Sequence, residues 1–152
     1  MQTGKQWKLY KKKYKSLPDW KWIDKTFGSI PDEDSKILEE VKKIMVEKLK
    51  EIKDLLEPFL SGSTDFTYWF ERKMVTKKDI DNMFDIYKKI MVILWESRHA
   101  SISNDEKELA AFISKIAKDW DSLTKYPMRL SIKLADGWKK YKKEEEVPIY
   151  HG

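Results

Sequence analysis

The chain has 152 residues, with 31 basic and 26 acidic side chains, a formal net charge of +5 and no cysteine. Without cysteine there are no disulfides, thiolate metal sites or cysteine nucleophiles, and no apolar run approaches the roughly 18–20 residues of a membrane span. This composition predicts a single domain over residues 1–152 that is soluble and cytoplasmic, without integral membrane association.

Amide side chains are scarce, whereas lysine and glutamate are abundant. Few thermolabile residues and many charges are typical of proteins from thermophiles, and a thermophilic archaeal source fits this pattern. An AT-rich genome would also enrich lysine and isoleucine, so both interpretations stay open. The amide residues are Gln2, Gln6, Asn82 and Asn104.

The excess positive charge is confined to residues 1–30, which we call the N-terminal arm. The arm carries eight lysines and two aspartates, a net charge of +6, whereas the remaining 23 basic and 24 acidic side chains nearly cancel. Because the rest of the chain is neutral, this concentration of lysine indicates more than a requirement for solubility.

The pattern of residues 5–16 predicts a short helix. Its aromatic side chains share one face, and its lysines cover the other faces. Pro18 ends it, and a second short apolar stripe runs to Gly28. In one interpretation the aromatic face packs on the body while the lysines extend into water. In the other, lysines contact phosphates and aromatic rings stack on bases. The candidate contacts are Lys5, Trp7, Lys8, Tyr10, Lys11, Lys12, Lys13, Tyr14 and Lys15.

The predicted helical body, residues 31–143, begins with a long amphipathic helix. This helix is predicted to run from Ser29 to about Leu60, with an apolar stripe on one face and charges of both signs interleaved on the other faces. Pro31 and the three acids that follow it suit a first turn, where free N–H groups favour negative charge. Pro58 predicts that this helix ends or kinks about one turn before the proline.

A second long helix, near residues 77–99, is predicted to be buried at the centre of the molecule. Thr76 and Asp79 resemble a capping box at its start. Its later part, Ile90–Trp95, is apolar at every position, which predicts that it is enclosed on all sides. An aromatic segment, residues 63–74, precedes it as a short helix. We therefore expect an all-α bundle of five or six helices around this central helix.

The last part of the chain predicts a helix that begins at a capping box, Ser103–Glu106, and stops before Pro127. Residues 128–141 alternate like a strand with a hairpin turn, but they also carry a helical stripe. We favour the helix, because a lone hairpin would leave unpaired edges in a helical protein. Residues 144–152 are predicted to form a frayed tail.

No catalytic or metal-binding motif is convincing in this sequence. Glu96 and His99 share a helix face with the spacing used in di-iron carboxylate bundles. Such a site needs a second pair, and the other histidine, His151, has no glutamate at that spacing. The scattered glycines exclude phosphate-binding loops, and there is no serine-hydrolase elbow. The sequence therefore predicts no enzyme, no cofactor and no bound metal.

The arm leads us to expect a non-enzymatic protein associated with DNA or RNA, as a nucleoprotein-complex subunit or a viral accessory protein. Small helical ribonucleoprotein subunits and coat proteins of archaeal viruses share this general composition. The alternative is a protein–protein interaction module or a homodimer in which the Trp-rich arm docks on a partner. Salt distinguishes the two, because phosphate contacts weaken with salt whereas apolar docking does not.

Overall fold

The computed structural model describes residues 4–28, 30, 36–62 and 64–142. These residues form six α-helices and no strand, which confirms the predicted all-α multi-helix bundle. The helices are α1 Lys5–Lys13, α2 Trp20–Phe27, α3 Ile37–Ser61, α4 Phe66–Lys73, α5 Lys77–Ser103 and α6 Glu106–Lys139.

The three long helices α3, α5 and α6 pack against one another in every pairing, and α1 and α4 pack on α3. Each long helix contributes one apolar stripe to the shared core, so burial of these stripes stabilises the fold more than helix propensity does. The completely enclosed core side chains on these three helices include Met45, Leu49, Ile90 and Ile113.

Helix α5 is buried on one side only. The predicted enclosure of Ile90–Trp95 is wrong, because Val92 is 51% exposed and Trp95 is 64% exposed. The physical reason is that α5 packs against α3 and α6, and no described helix covers its third side. The residues that face the core are Met83, Ile86, Ile90, Ile93, Leu94, Ser97 and Ala100.

Helix α3 begins later than predicted and ends close to the predicted Leu60, with Gly62 as its C-cap. It begins at Ile37, and the predicted first turn with its acids, residues 31–35, lies outside the described residues. Pro58 does not stop the helix, which continues to Ser61. The proline removes one N–H hydrogen bond, but the buried side chains of Leu56 and Phe59 on either side of it hold the last turns on the core.

One predicted helix cap is confirmed and the other is wrong. The Thr76 hydroxyl accepts from the Asp79 N–H at 3.1 Å, and the Asp79 carboxylate accepts from the Thr76 N–H at 2.8 Å. Ser103, by contrast, is the last residue of α5. Asn104 has left-handed backbone (φ 49°) and ends that helix, so Asp105 is the residue that caps α6, by accepting from the Lys107 N–H at 2.9 Å.

Helix α6 passes through Pro127, so the predicted stop before this residue is wrong and the predicted helix over residues 128–141 is confirmed as far as Lys139. Pro127 is itself buried and belongs to the same stripe as Leu123 and Leu130. Burial of this continuous stripe outweighs the one hydrogen bond that the proline cannot donate. The predicted tail, residues 144–152, lies outside the described residues.

Helix α4 docks on the C-terminal end of α6 through aromatic rings. Phe70 is buried, with its ring centroid 4.4 Å from that of Trp138 and 4.9 Å from that of Tyr141. The Trp138 indole N–H donates to Glu71 at 2.8 Å. The aromatic rings of α4 therefore pack this helix onto the end of α6.

Candidate nucleic-acid interface

The aromatic face of α1 packs against the rest of the molecule. Trp7 is completely buried, and its indole N–H donates to the Pro18 carbonyl at 2.8 Å. Leu17, Trp20 and Ile23 are also buried, and the Trp7 and Trp20 ring centroids lie 6.1 Å apart. Of the two interpretations of Trp7, packing is the correct one, and its ring is not exposed for stacking on a base.

Helix α2 docks on α6 through a second aromatic group. The Phe27 ring centroid lies 4.9 Å from that of Trp120, in an edge-to-face arrangement, and Trp22 lies 6.5 Å from the same ring. Aromatic pairs at these distances add about 0.5–1.5 kcal/mol beyond the burial of their area. Trp7 and Trp20 are part of the core that this chain forms, so neither ring is exposed on the surface of the single chain. The docking of the arm on a partner stays a prediction.

Three lysines form a stripe along the outward face of α1. Lys5, Lys8 and Lys12 are spaced three and four residues apart, which places them one above the other on a helix. All three are exposed, with Leu9 beside them also exposed. Among the residues that the structure describes, none of these three ammonium groups takes part in an ion pair.

Three further lysines of the arm are also exposed. Lys15 follows α1, while Lys21 and Lys25 are one turn apart on the outward side of α2. Within the described part of the chain these three also make no ion pair. Lys15 is one of the contacts predicted from the sequence. Lys21 and Lys25 were not predicted, although their four-residue spacing opposite Trp20 and Ile23 is visible in the sequence. We call the set Lys5, Lys8, Lys12, Lys15, Lys21 and Lys25 the lysine surface.

Two of the predicted lysine contacts are engaged within the molecule. Lys11 bonds to the Asp19 carboxylate and donates to the Leu17 carbonyl at 3.0 Å. Lys13 donates to Glu106 at 2.8 Å, and the pKa of the Lys13 ammonium is raised by that hydrogen bond. These two lysines hold α1 to the segment after it and to the start of α6, so they are less available to a ligand.

The two tyrosines of α1 and its C-cap make contacts within the molecule. Tyr14 donates its hydroxyl to Glu106 at 2.8 Å, and this hydrogen bond raises the pKa of Tyr14. The hydrogen bonds from Lys13 and Tyr14 lower the pKa of Glu106. Tyr10 is half-buried and packs against the core at the edge of a groove between α3 and the junction of α5 with α6. Both tyrosines therefore anchor the arm, as Trp7 does.

A groove of about 750 Å³ lies between α3 and the junction of α5 with α6. Its walls carry both signs of charge, with Lys42 and Lys43 near Glu39 and Glu106. Burial lowers the pKa of Lys42, whose ammonium bonds to the Ser101 hydroxyl. This mixed charge does not select an anionic or a cationic ligand.

The residues considered for a metal site point to separate partners. Glu96 accepts two hydrogen bonds from Lys115, each at 3.0 Å, whereas His99 lies 3.4 Å from Glu108. Across the described ranges, no group of three His, Asp or Glu side chains is placed to hold a metal ion. The lysine surface is accordingly the strongest candidate for a functional site.

In comparisons with known proteins, no protein-family model, no curated protein and no solved structure matches this chain. Of the six described helices, none combines the length and the apolar character that a membrane span requires. The functional argument therefore rests on the residues of the chain itself.

Proposed function

We propose that this is a non-enzymatic nucleic-acid-associated protein that binds the phosphate backbone through the lysine surface. One observation carries the proposal. Six arm lysines are exposed and in no ion pair within the described residues. Five lie on α1 and α2, whose Trp7 and Trp20 side chains are buried in the core, and Lys15 lies between the two helices. The rest of the chain is close to neutral. A basic surface on a neutral body attracts a polyanion without attracting its own copies.

The side chains involved indicate the type of recognition. Lysine is a point charge on a flexible stem, so it contacts phosphates of many geometries and does not read bases. With Trp7 buried, stacking on unpaired bases does not add affinity. We therefore expect binding that is independent of sequence and at least as strong for duplex as for single strands, because the duplex has the higher charge density.

A salt titration tests the proposal directly. Fluorescence anisotropy of labelled duplex DNA, duplex RNA and single strands would be followed between about 50 and 200 mM salt. Each lysine–phosphate contact on duplex DNA contributes a slope of about −0.9 in log K against log salt. Full use of the lysine surface gives a slope of about −5.4, and use of half of it about −2.7.

Two matched variants decide whether the lysine surface is the site. The first changes all six of its lysines to Gln, and we expect it to lose binding. The second changes six exposed body lysines to Gln and so carries the same net charge, and we expect it to bind like the natural protein. Equal loss in both variants, or no binding at about 50 mM salt, would contradict the proposal. The six body lysines are Lys77, Lys78, Lys89, Lys107, Lys118 and Lys125.

A further inference from the structure

The outward side of α5 exposes large apolar side chains that no described helix covers. Phe84 is 54% exposed, Trp95 is 64% exposed and Ile102 is 84% exposed. Single exposed apolar residues are ordinary on protein surfaces. A series of them on one helix face, opposite the face that packs on the core, indicates a surface for a partner.

These residues belong to a regular pattern that we call the α5 seam. Its members are separated by three and four residues in strict alternation, which is the spacing of a two-stranded coiled coil. All are exposed except Met91, which is partly buried. At 1.5 Å per residue the seam is about 32 Å long. Its members are Asp81, Phe84, Lys88, Met91, Trp95, Arg98 and Ile102.

The charges of the α5 seam are ordered along the helix, with Asp81 near its start and Lys88 and Arg98 later. In a parallel pair of α5 helices each of these charges would face its own copy. In an antiparallel pair centred between Lys89 and Ile90, Asp81 lies level with Arg98 of the other chain. The same centre puts Phe84 level with Trp95 and Lys88 level with Met91, so three different pairs share one register.

We propose that a second copy of this chain docks on the α5 seam, forming an antiparallel, two-fold symmetric homodimer. Asp81 then meets Arg98, and Phe84 meets Trp95 in the same register, as a self-complementary interface requires. Asp81 has no ion-pair partner among the described residues. Arg98 stacks on the Trp95 ring at 4.3 Å, which leaves the edge of its guanidinium group free to donate to a carboxylate.

The proposed dimer does not depend on the proposed nucleic-acid binding, because the α5 seam and the lysine surface lie on different helices. The oligomeric state of the protein without nucleic acid is therefore the measurement that tests it. Sedimentation equilibrium should give a mass that rises with concentration from 18.3 kDa towards twice that value. A mass that stays at that of one chain up to millimolar concentration would overturn the proposal.

Two substitutions locate the interface. Trp95 and Met128 are equally exposed, at 64%, but Met128 lies on α6 outside the seam. We expect Trp95→Glu to weaken the dimer at least about tenfold, since aromatic anchors dominate such interfaces. Met128→Glu should leave the dimer unchanged, and circular dichroism should show that both variants are folded. Equal effects of the two substitutions would exclude the α5 seam.

The absence of cysteine allows a direct test of orientation. A disulfide forms only where two Cα atoms come within about 7 Å. Mixed samples of Asp81→Cys and Arg98→Cys should therefore cross-link with each other under mild oxidation. Each variant alone should stay largely unlinked. Efficient linking of either variant with itself would show a parallel pair and contradict the proposed arrangement.

Discussion

Gly4 is the N-cap of α1, and its backbone lies against the Trp20 ring of α2. Its backbone is left-handed (φ 68°), and a Cβ placed there would lie 2.2 Å from the Trp20 ring. Glycine is therefore required at this position for two reasons, the backbone conformation and the space. Gly62 has a similar backbone (φ 75°), but nothing lies within 4 Å of a Cβ placed there. A substitution at Gly62 therefore measures the cost of the backbone conformation without the clash.

We predict that Gly4→Ala destabilises the protein more than Gly62→Ala. The left-handed backbone costs an alanine about 1–2 kcal/mol at either position. Displacement of the Trp20 ring should add about 1–3 kcal/mol at Gly4 alone. Urea unfolding at pH 7 measures both free energies of unfolding, and equal values would show that the ring moves aside without cost.

Asp79 connects α5 to α6 through its carboxylate. Besides capping α5, it accepts from the Tyr126 hydroxyl at 2.8 Å and from the Lys133 ammonium at 2.7 Å. Burial acts to raise the pKa of Asp79, but the hydrogen bonds from Lys133, Thr76 and Tyr126 outweigh it and hold the pKa well below its usual range. Burial and the nearby Asp79 carboxylate raise the pKa of Tyr126.

This pKa shift predicts how the stability contributed by Asp79 depends on pH. A carboxyl with a depressed pKa in the folded state stabilises the protein fully above its unfolded pKa of about 3.9. That contribution is lost as the pH falls below this value. Asp79→Asn should therefore cost about 1–2 kcal/mol at pH 7, and the difference should shrink below about pH 4. Urea unfolding of both proteins from pH 3 to 7 measures this difference in the free energy of unfolding. A difference that stays constant with pH would contradict the lowered pKa of Asp79.

At the scale of the element, the orientation of α5 about its own axis decides which of its apolar residues are buried. Ile93 is 7% exposed and faces the core, whereas its neighbour Val92 is 51% exposed. Both are β-branched aliphatic residues in the same helix turn, so their intrinsic helix propensities are similar. Substitutions at these two positions therefore compare burial alone.

We predict that Ile93→Asp destabilises the protein by at least about 3 kcal/mol, because it places an unpaired charge in the core. Val92→Asp should change the free energy of unfolding by no more than about 1 kcal/mol. Thermal unfolding followed by circular dichroism measures both. Similar melting temperatures for the two variants would mean that Ile93 does not face the core and Val92 does not face outward.

At the scale of the whole molecule, α1 and α2 are attached to the long helices by buried aromatic residues. Trp7 is in the same core as the stripes of α3, α5 and α6. The predicted single domain then requires that the arm and the body unfold together. Tryptophan fluorescence, which reports on both parts, should follow the same transition as the helical signal in circular dichroism.

A substitution in the arm tests this cooperativity. Trp7→Ala should destabilise the whole molecule by about 3–5 kcal/mol, because it opens a cavity in the shared core. Leu9→Ala, at an exposed position of the same helix, should have little effect. An arm that melts at a lower temperature while the body remains helical would show that residues 1–30 form a separate unit.

The sequence alone determined the helical class, most helix positions, one cap and the concentration of lysine in the arm. These features follow from apolar periodicity, local capping chemistry and composition, which act over a few residues. The predicted helix stop at Pro127 was wrong for a related reason. The rule that proline ends a helix is local, and α6 continues through Pro127, as α3 continues through Pro58, because burial on either side of the proline outweighs that rule.

The tertiary structure alone decided which side of α5 is exposed and which arm lysines are available. A run such as Ile90–Trp95 contains no polar residue that marks the outward face, so only the packing of α3 and α6 selects it. Lys13 is engaged by Glu106, a residue 93 positions away. Such pairs depend on how the helices fold together, and no local pattern in the chain encodes them.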